Sequence, residues 1–263
     1  MNTLARDDAM QMLNKVPEVT LYFWIIKIMA TTVGETGADF LNFDLRFGLT
    51  GTSLVMGALL ATFLFMQIRA RKYVPWLYWV NVVLISVVGT LITDNLVDNF
   101  GVALETTTIA FGLALIATFA IWYASEKTLS IHTIFTTRRE LFYWAAILFA
   151  FALGTAAGDL VAESMKQGYA NSALMFGALI AAVTLAYYVL KANAVLAFWI
   201  AYVLTRPLGA SFGDLLSQPA ANGGLGLGTV ATSMVFLATI LSLVMYLTIT
   251  RRDVLGRAAS DSL

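Results

Sequence analysis

Four tryptophans, Trp24, Trp79, Trp144 and Trp199, are each followed by a glycine ten residues on and an aspartate fifteen residues on. The glycines are Gly34, Gly89, Gly154 and Gly209; the aspartates are Asp39, Asp94, Asp159 and Asp214. The strings read WIIKIMATTVGETGAD, WVNVVLISVVGTLITD, WAAILFAFALGTAAGD and WIAYVLTRPLGASFGD. A second glycine stands 33 residues after the first three tryptophans, at Gly57, Gly112 and Gly177, with Thr232 at that offset in the fourth. Successive copies start 55, 65 and 55 residues apart. A chain with this register is built of four copies of one supersecondary unit.

Each unit holds two apolar segments. They fall at about 19–41, 50–68, 76–97, 106–124, 141–162, 172–190, 194–216 and 229–249. About 20 apolar residues cross a bilayer as a helix, and an isolated span in lipid must satisfy its backbone internally. The composition agrees: 59% hydrophobic and 12% charged, against about 25% charged in soluble domains. The fold class expected is an all-α membrane protein of eight transmembrane helices. Two spans per unit give every unit the same orientation, so the repeats are parallel about an axis along the membrane normal. A pseudo-four-fold ring or a nested two-fold satisfies this, with the odd helices around the axis. The units expected are 17–72, 73–128, 129–192 and 193–250, between cytoplasmic tails at 1–16 and 251–263.

Basic residues set orientation. Arg69, Arg71, Lys72, Lys127, Arg138, Arg139 and Lys191 follow even-numbered spans, and Arg251 and Arg252 follow the last. Arg6 and Lys15 precede the first span, whereas only Arg46 and Lys166 follow odd ones. Both termini are therefore expected in the cytoplasm. The first residues are polar and include two aspartates, so no cleavable signal peptide is expected there.

The four tryptophan-marked units resemble a family of bacterial integral membrane proteins built of four tandem repeats of unknown function. Each repeat in that family has two transmembrane segments and a characteristic tryptophan. The resemblance covers about residues 17–250 and implies a multi-pass protein of the bacterial inner membrane. It implies no chemistry.

Acids inside spans are functional-site candidates by default. They are Glu35, Asp39, Asp94, Asp98, Asp159, Glu163 and Asp214; Glu35/Asp39, Asp94/Asp98 and Asp159/Glu163 are spaced to share a helix face. In an unbroken helix each repeat aspartate stands about 22 Å from its tryptophan. Two readings follow: the aspartates line a central polar site, or they are wet outer-rim residues. The offset-ten glycines either break the helix so that irregular backbone lines a cavity, or let helices pack closely. Lys27 reads as snorkelling to the surface, with a counter-ion role as the alternative. Arg206, before Pro207, falls near mid-membrane and needs a partner, for which a repeat carboxylate is expected. Its replacement by alanine is expected to alter activity more than abundance. The aromatics around the repeat tryptophans read as an interfacial belt.

Carboxylates at one depth, with no cysteine and a single histidine, His132, suit hard cations and protons. Asp39, Asp94, Asp159 and Asp214 are the candidate metal-binding set, with Thr31, Thr32, Thr36, Thr90, Thr93 and Thr155 as neutral oxygen donors. Cation translocation is the leading expectation, with Mn2+ or Mg2+ as substrate and protons as counter-flow. A small-molecule or organic-cation transporter and a non-transporting scaffold are the alternatives. No nucleophile–base pair, phosphate loop or dinucleotide fingerprint is present, so no enzyme and no cofactor is expected. The partners are the bilayer and a small substrate, not nucleic acid. A homo-oligomer is compatible with the sequence without being required by it.

Overall fold

The computed structural model describes residues 14–254; the rest of the expected tails, with Arg6, lies outside the described residues. Eight long helices account for the apolar segments: α1 (Leu21–Asp39), α2 (Gly48–Arg69), α3 (Pro75–Asp94), α4 (Leu104–Glu126), α5 (Thr137–Asp159), α6 (Gly168–Tyr188), α7 (Ala194–Ser217) and α8 (Thr229–Thr250). No strand occurs among the described residues. All but α1 are long and apolar enough to cross a membrane; α1 carries Lys27, Glu35 and Asp39.

Local chemistry sets the helix starts. Side-chain oxygens of Thr20, Thr136 and Asn193 accept the backbone N–H of Phe23, Arg139 and Leu196 at the starts of α1, α5 and α7. Pro75 opens α3, where its missing N–H costs nothing. After Asp39, Asp94 and Asp159 the first three inner helices continue as a π-helical turn, Phe40–Asp44, Asn95–Asn99 and Leu160–Ser164.

The first helix of each unit forms an inner ring in which α1 packs on α3, α3 on α5, α5 on α7, and α7 on α1. The second helix of each unit packs on the inner helix of the next unit: α2 on α3, α4 on α5, α6 on α7, and α8 back on α1. Every unit is thus clasped by its neighbour rather than closed on itself.

The same contacts recur at all four seams of the ring. The aromatic residue before each tryptophan meets the tryptophan of the adjoining inner helix. Ring centroids are 5.6 Å apart for Phe23–Trp79, 5.5 Å for Tyr78–Trp144, 6.1 Å for Tyr143–Trp199 and 5.7 Å for Phe198–Trp24. Such pairs contribute roughly 0.5–1.5 kcal/mol each beyond their buried area. This corrects the interfacial-belt reading: Trp79, Trp144 and Trp199 are buried and Trp24 half-buried, because indoles fill the space between ring helices.

The offset-ten glycines form the next layer. A Cβ on Gly34 would collide with Ser86, on Gly89 with Phe151, on Gly154 with Arg206 and Pro207, and on Gly209 with Thr31. The residues met are in every case those seven after the tryptophan of the next copy. The helices run unbroken through all four glycines, which corrects the expectation of irregular backbone; here close packing is what requires glycine. Gly57, by contrast, has open space around it, and Gly112 and Gly177 meet only a leucine methyl at 3.9 Å. Gly89→Leu is therefore expected to cost about 1–3 kcal/mol through overpacking, while Gly57→Leu stays near wild type. Thermal unfolding of the detergent-solubilised variants distinguishes the two.

A strap crosses the tryptophan end of the ring. Lys15 Nζ pairs with Glu140 Oε2 at 2.6 Å and donates to Ile68 O at 2.9 Å; Gln67 Nε2 donates to Glu140 Oε1 at 3.2 Å. Backbone bonds run from Lys15 N to Ile134 O and from Glu18 N to Asp253 O, both 3.0 Å. Tyr73 donates to Asp253 Oδ2 at 2.5 Å. Burial pushes the Asp253 carboxyl above the usual carboxylate range, against the opposite pull of that bond. Val16 joins the aromatic core beneath.

Candidate functional site

Arg206 is the hub of the ring. It stands at offset seven in the fourth copy, where the other copies have Thr31, Ser86 and Phe151, and it is 1% exposed. Its Nη2 donates to Glu35 Oε2 at 2.7 Å, to Thr155 Oγ1 at 2.7 Å and to Thr90 Oγ1. Nη1 donates to Thr31 O at 3.1 Å. Glu35, Thr90 and Thr155 are the offset-eleven residues of the first three copies, and the fourth has Ala210. One guanidinium therefore ties all three other inner helices together. Its partner is Glu35, not one of the repeat aspartates as expected.

Beyond this hub lie the acids. Carboxylate oxygens of Glu35, Asp159 and Asp214 lie within 4.8 Å of one another; Glu35 and Asp214 are buried and Asp159 is half-buried. Asp39 is half-buried and accepts from Gln218 Nε2 at 3.5 Å. Asp94, also half-buried, is within electrostatic reach of Glu35, Asp159 and Asp39. Asp98 and Glu163 are exposed, which corrects their placement on the aspartates' face. Both lie in the π-helical segments that follow Asp94 and Asp159, at the far end of their helices. Of the proposed metal set, the structure gathers Asp159 and Asp214 tightly and brings in Glu35; Asp39 and Asp94 surround that trio.

Lys27 overturns the snorkelling expectation. It is 1% exposed, with Nζ 3.2 Å from Thr205 Oγ1, 4.1 Å from the Phe151 ring centroid and 4.3 Å from that of Tyr202. Aromatic rings from two neighbouring helices, α5 and α7, hold it in the core, where cation–π attraction replaces hydration. No carboxylate lies within ion-pair distance of it among the described residues.

Two concavities lie nearer the tryptophan end than the acids. One groove of about 570 Å3 runs between α1, α6 and α7, with Glu18, Ser130 and His132 at one end and Thr205 at its lining. An equal groove lies between α4 and α7, along Phe119, Tyr123 and Trp199.

Sequence reasoning missed the hydroxyl partners of Arg206 as a set, the Lys15–Glu140 pair and the bonded tyrosines Tyr78 and Tyr143, whose hydroxyls are 2.5 Å apart. The signal for the first was present at one offset, as Glu, Thr, Thr, Ala. Reading across copies at offsets seven and eleven finds both the hub and its partners.

Residues 22–73, 77–128, 142–193 and 197–253 each match the family described as Repeat of Unknown Function (DUF347). No curated protein and no solved structure matches the chain. With four tandem matches covering most of its length, the chain belongs to this repeat family.

Proposed function

We propose that this chain is an eight-span protein of the bacterial cytoplasmic membrane that moves a hard cation, Mn2+ or Mg2+, in exchange for protons. Its termini are cytoplasmic, and its parallel repeats surround a pseudo-four-fold axis along the membrane normal. The observation that carries this reading is the gathered carboxylate trio of Glu35, Asp159 and Asp214. Oxygens on opposite sides of a bound ion lie ~4.2 Å apart for Mg2+ and ~4.8 Å for Ca2+, twice the usual metal–oxygen distances. The oxygens of the trio, all within 4.8 Å of one another, are close enough to share one such ion. Like charges this close favour either a cation or a shared proton, which is the chemistry of exchange. Asp39 and Asp94 extend the negative field around the trio, and Arg206 competes with the substrate for Glu35.

The test is flux in proteoliposomes across Mn2+, Mg2+, Ca2+, Na+ and K+, with Asp159→Asn and Asp214→Asn as folded variants. The reading expects divalent flux in the wild type and at least a tenfold loss in each variant. A second reading, a scaffold without substrate, is favoured by the Arg206 hub, whose bonds bolt four helices together. It expects no flux of any of these ions and asparagine variants that differ only in stability. An organic cation that competes where metals do not would move the assignment to small-molecule transport.

A further inference from the structure

We infer that Lys27, reached through the groove that ends at Thr205, is where the exchanged proton is taken up and returned on the cytoplasmic side. The inference rests on the cation–proton exchange proposed above and names the proton's residue within it. Lys27 carries three donors, yet its amine has one hydrogen-bond acceptor among the described residues, Thr205 Oγ1. That threonine also lines the groove of about 570 Å3 whose other end is polar, at Glu18, Ser130 and His132. The Thr205 hydroxyl accepts from the amine and donates to Tyr202 O at 2.7 Å. The hydroxyl of Tyr202, whose ring lies under the amine, is buried without a partner.

The groups facing Lys27 explain why its charge would couple to the cation site. From α7 come Tyr202 and Arg206, and from α5 comes Phe151, whose ring is also 5.9 Å from the Arg206 guanidinium carbon. Tyr78 of α3 and Tyr143 of α5 form the hydroxyl pair in electrostatic reach of Tyr202. The only titratable side chain within α8 is Tyr246, against Tyr22. On its own helix Glu35 stands eight residues on, about 12 Å along the axis. At that distance and an effective dielectric near 20, one charge alters the affinity for another roughly tenfold per unit charge. A proton on Lys27 and a cation among the acids thus oppose each other, as an exchanger requires. The step is an N–H bond made or broken at Nζ: Thr205 Oγ1 takes the proton from the amine and releases its own to groove water, its O–H turning from Tyr202 O to do so, and the reverse on uptake.

Lys27→Arg keeps a fixed positive charge that does not release its proton at working pH; Lys27→Met has no charge. Two assays separate coupling from permeation: Mn2+ counterflow with no proton gradient, and Mn2+ accumulation driven by an imposed pH gradient. Both variants, and Thr205→Val, are expected to retain counterflow within about threefold and to lose at least tenfold of the driven accumulation. Driven accumulation equal to wild type in any folded Lys27 variant overturns the inference while leaving the cation reading standing. A wild type without counterflow overturns both. If both Lys27 variants fail to fold, Thr205→Val decides by the same two readouts.

Discussion

Arg206→Met unfolds with about 3–5 kcal/mol less stability than wild type, because it leaves the Glu35 carboxylate buried without its cation. The physical reason is visible in the partners: Glu35, Thr90, Thr155 and the Thr31 carbonyl all point at one guanidinium. Adding Glu35→Gln to Arg206→Met regains most of the loss, since the orphan is then neutral. Equilibrium unfolding of the two proteins in one detergent measures both numbers. A single variant within about 1 kcal/mol of wild type would show that the hub is not a structural bolt.

Glu140→Ala has a comparable cost, again about 3–5 kcal/mol, but its consequence is local. The Lys15 ammonium and the Gln67 amide both lose their acceptor at a site 1% exposed. With the pair gone, the strap keeps its backbone bonds to Ile134 and Asp253 and the bond from Lys15 Nζ to Ile68 O. Limited trypsin digestion reads this directly: cleavage after Lys15 is slow in wild type and at least tenfold faster in the variant. Equal rates would mean that the remaining bonds and Val16 hold the strap unaided.

The helices were legible because apolar runs of about 20 residues satisfy their own backbone as helices, and all eight expected segments correspond to helices within a few residues. The repeat was legible because tryptophan, glycine and aspartate each answer a demand that recurs at every seam. What escaped was the interior geometry. Lys27 was read as a surface cation because one-dimensional counting puts it near a boundary; the ring makes that boundary a core, lined by Phe151 and Tyr202 from other copies. Asp98 and Glu163 were read onto a buried face on the assumption of an unbroken α-helix. The π-helical turns that follow the aspartates have no strong sequence signal, and both residues are exposed there, at the ends of their helices. All three acids of the trio were among the seven candidates, but Glu35 was left out of the metal set, because it belongs to a different offset from Asp159 and Asp214 and matching identical positions does not collect it.

The clasp between successive units bears on how such a chain could have arisen. A free two-helix unit would leave its inner helix without an outer partner, and four identical units would satisfy one another as a homotetramer of interlocking protomers. Such a tetramer is barred from one thing that this chain has. An arginine at offset seven in every protomer would crowd four guanidiniums into the same few ångströms. Joining the units into one gene removes that constraint, because each copy can then diverge alone. Thr31, Ser86, Phe151 and Arg206 are four different answers at one offset, and one guanidinium shared by three other helices is open only to a chain whose copies differ.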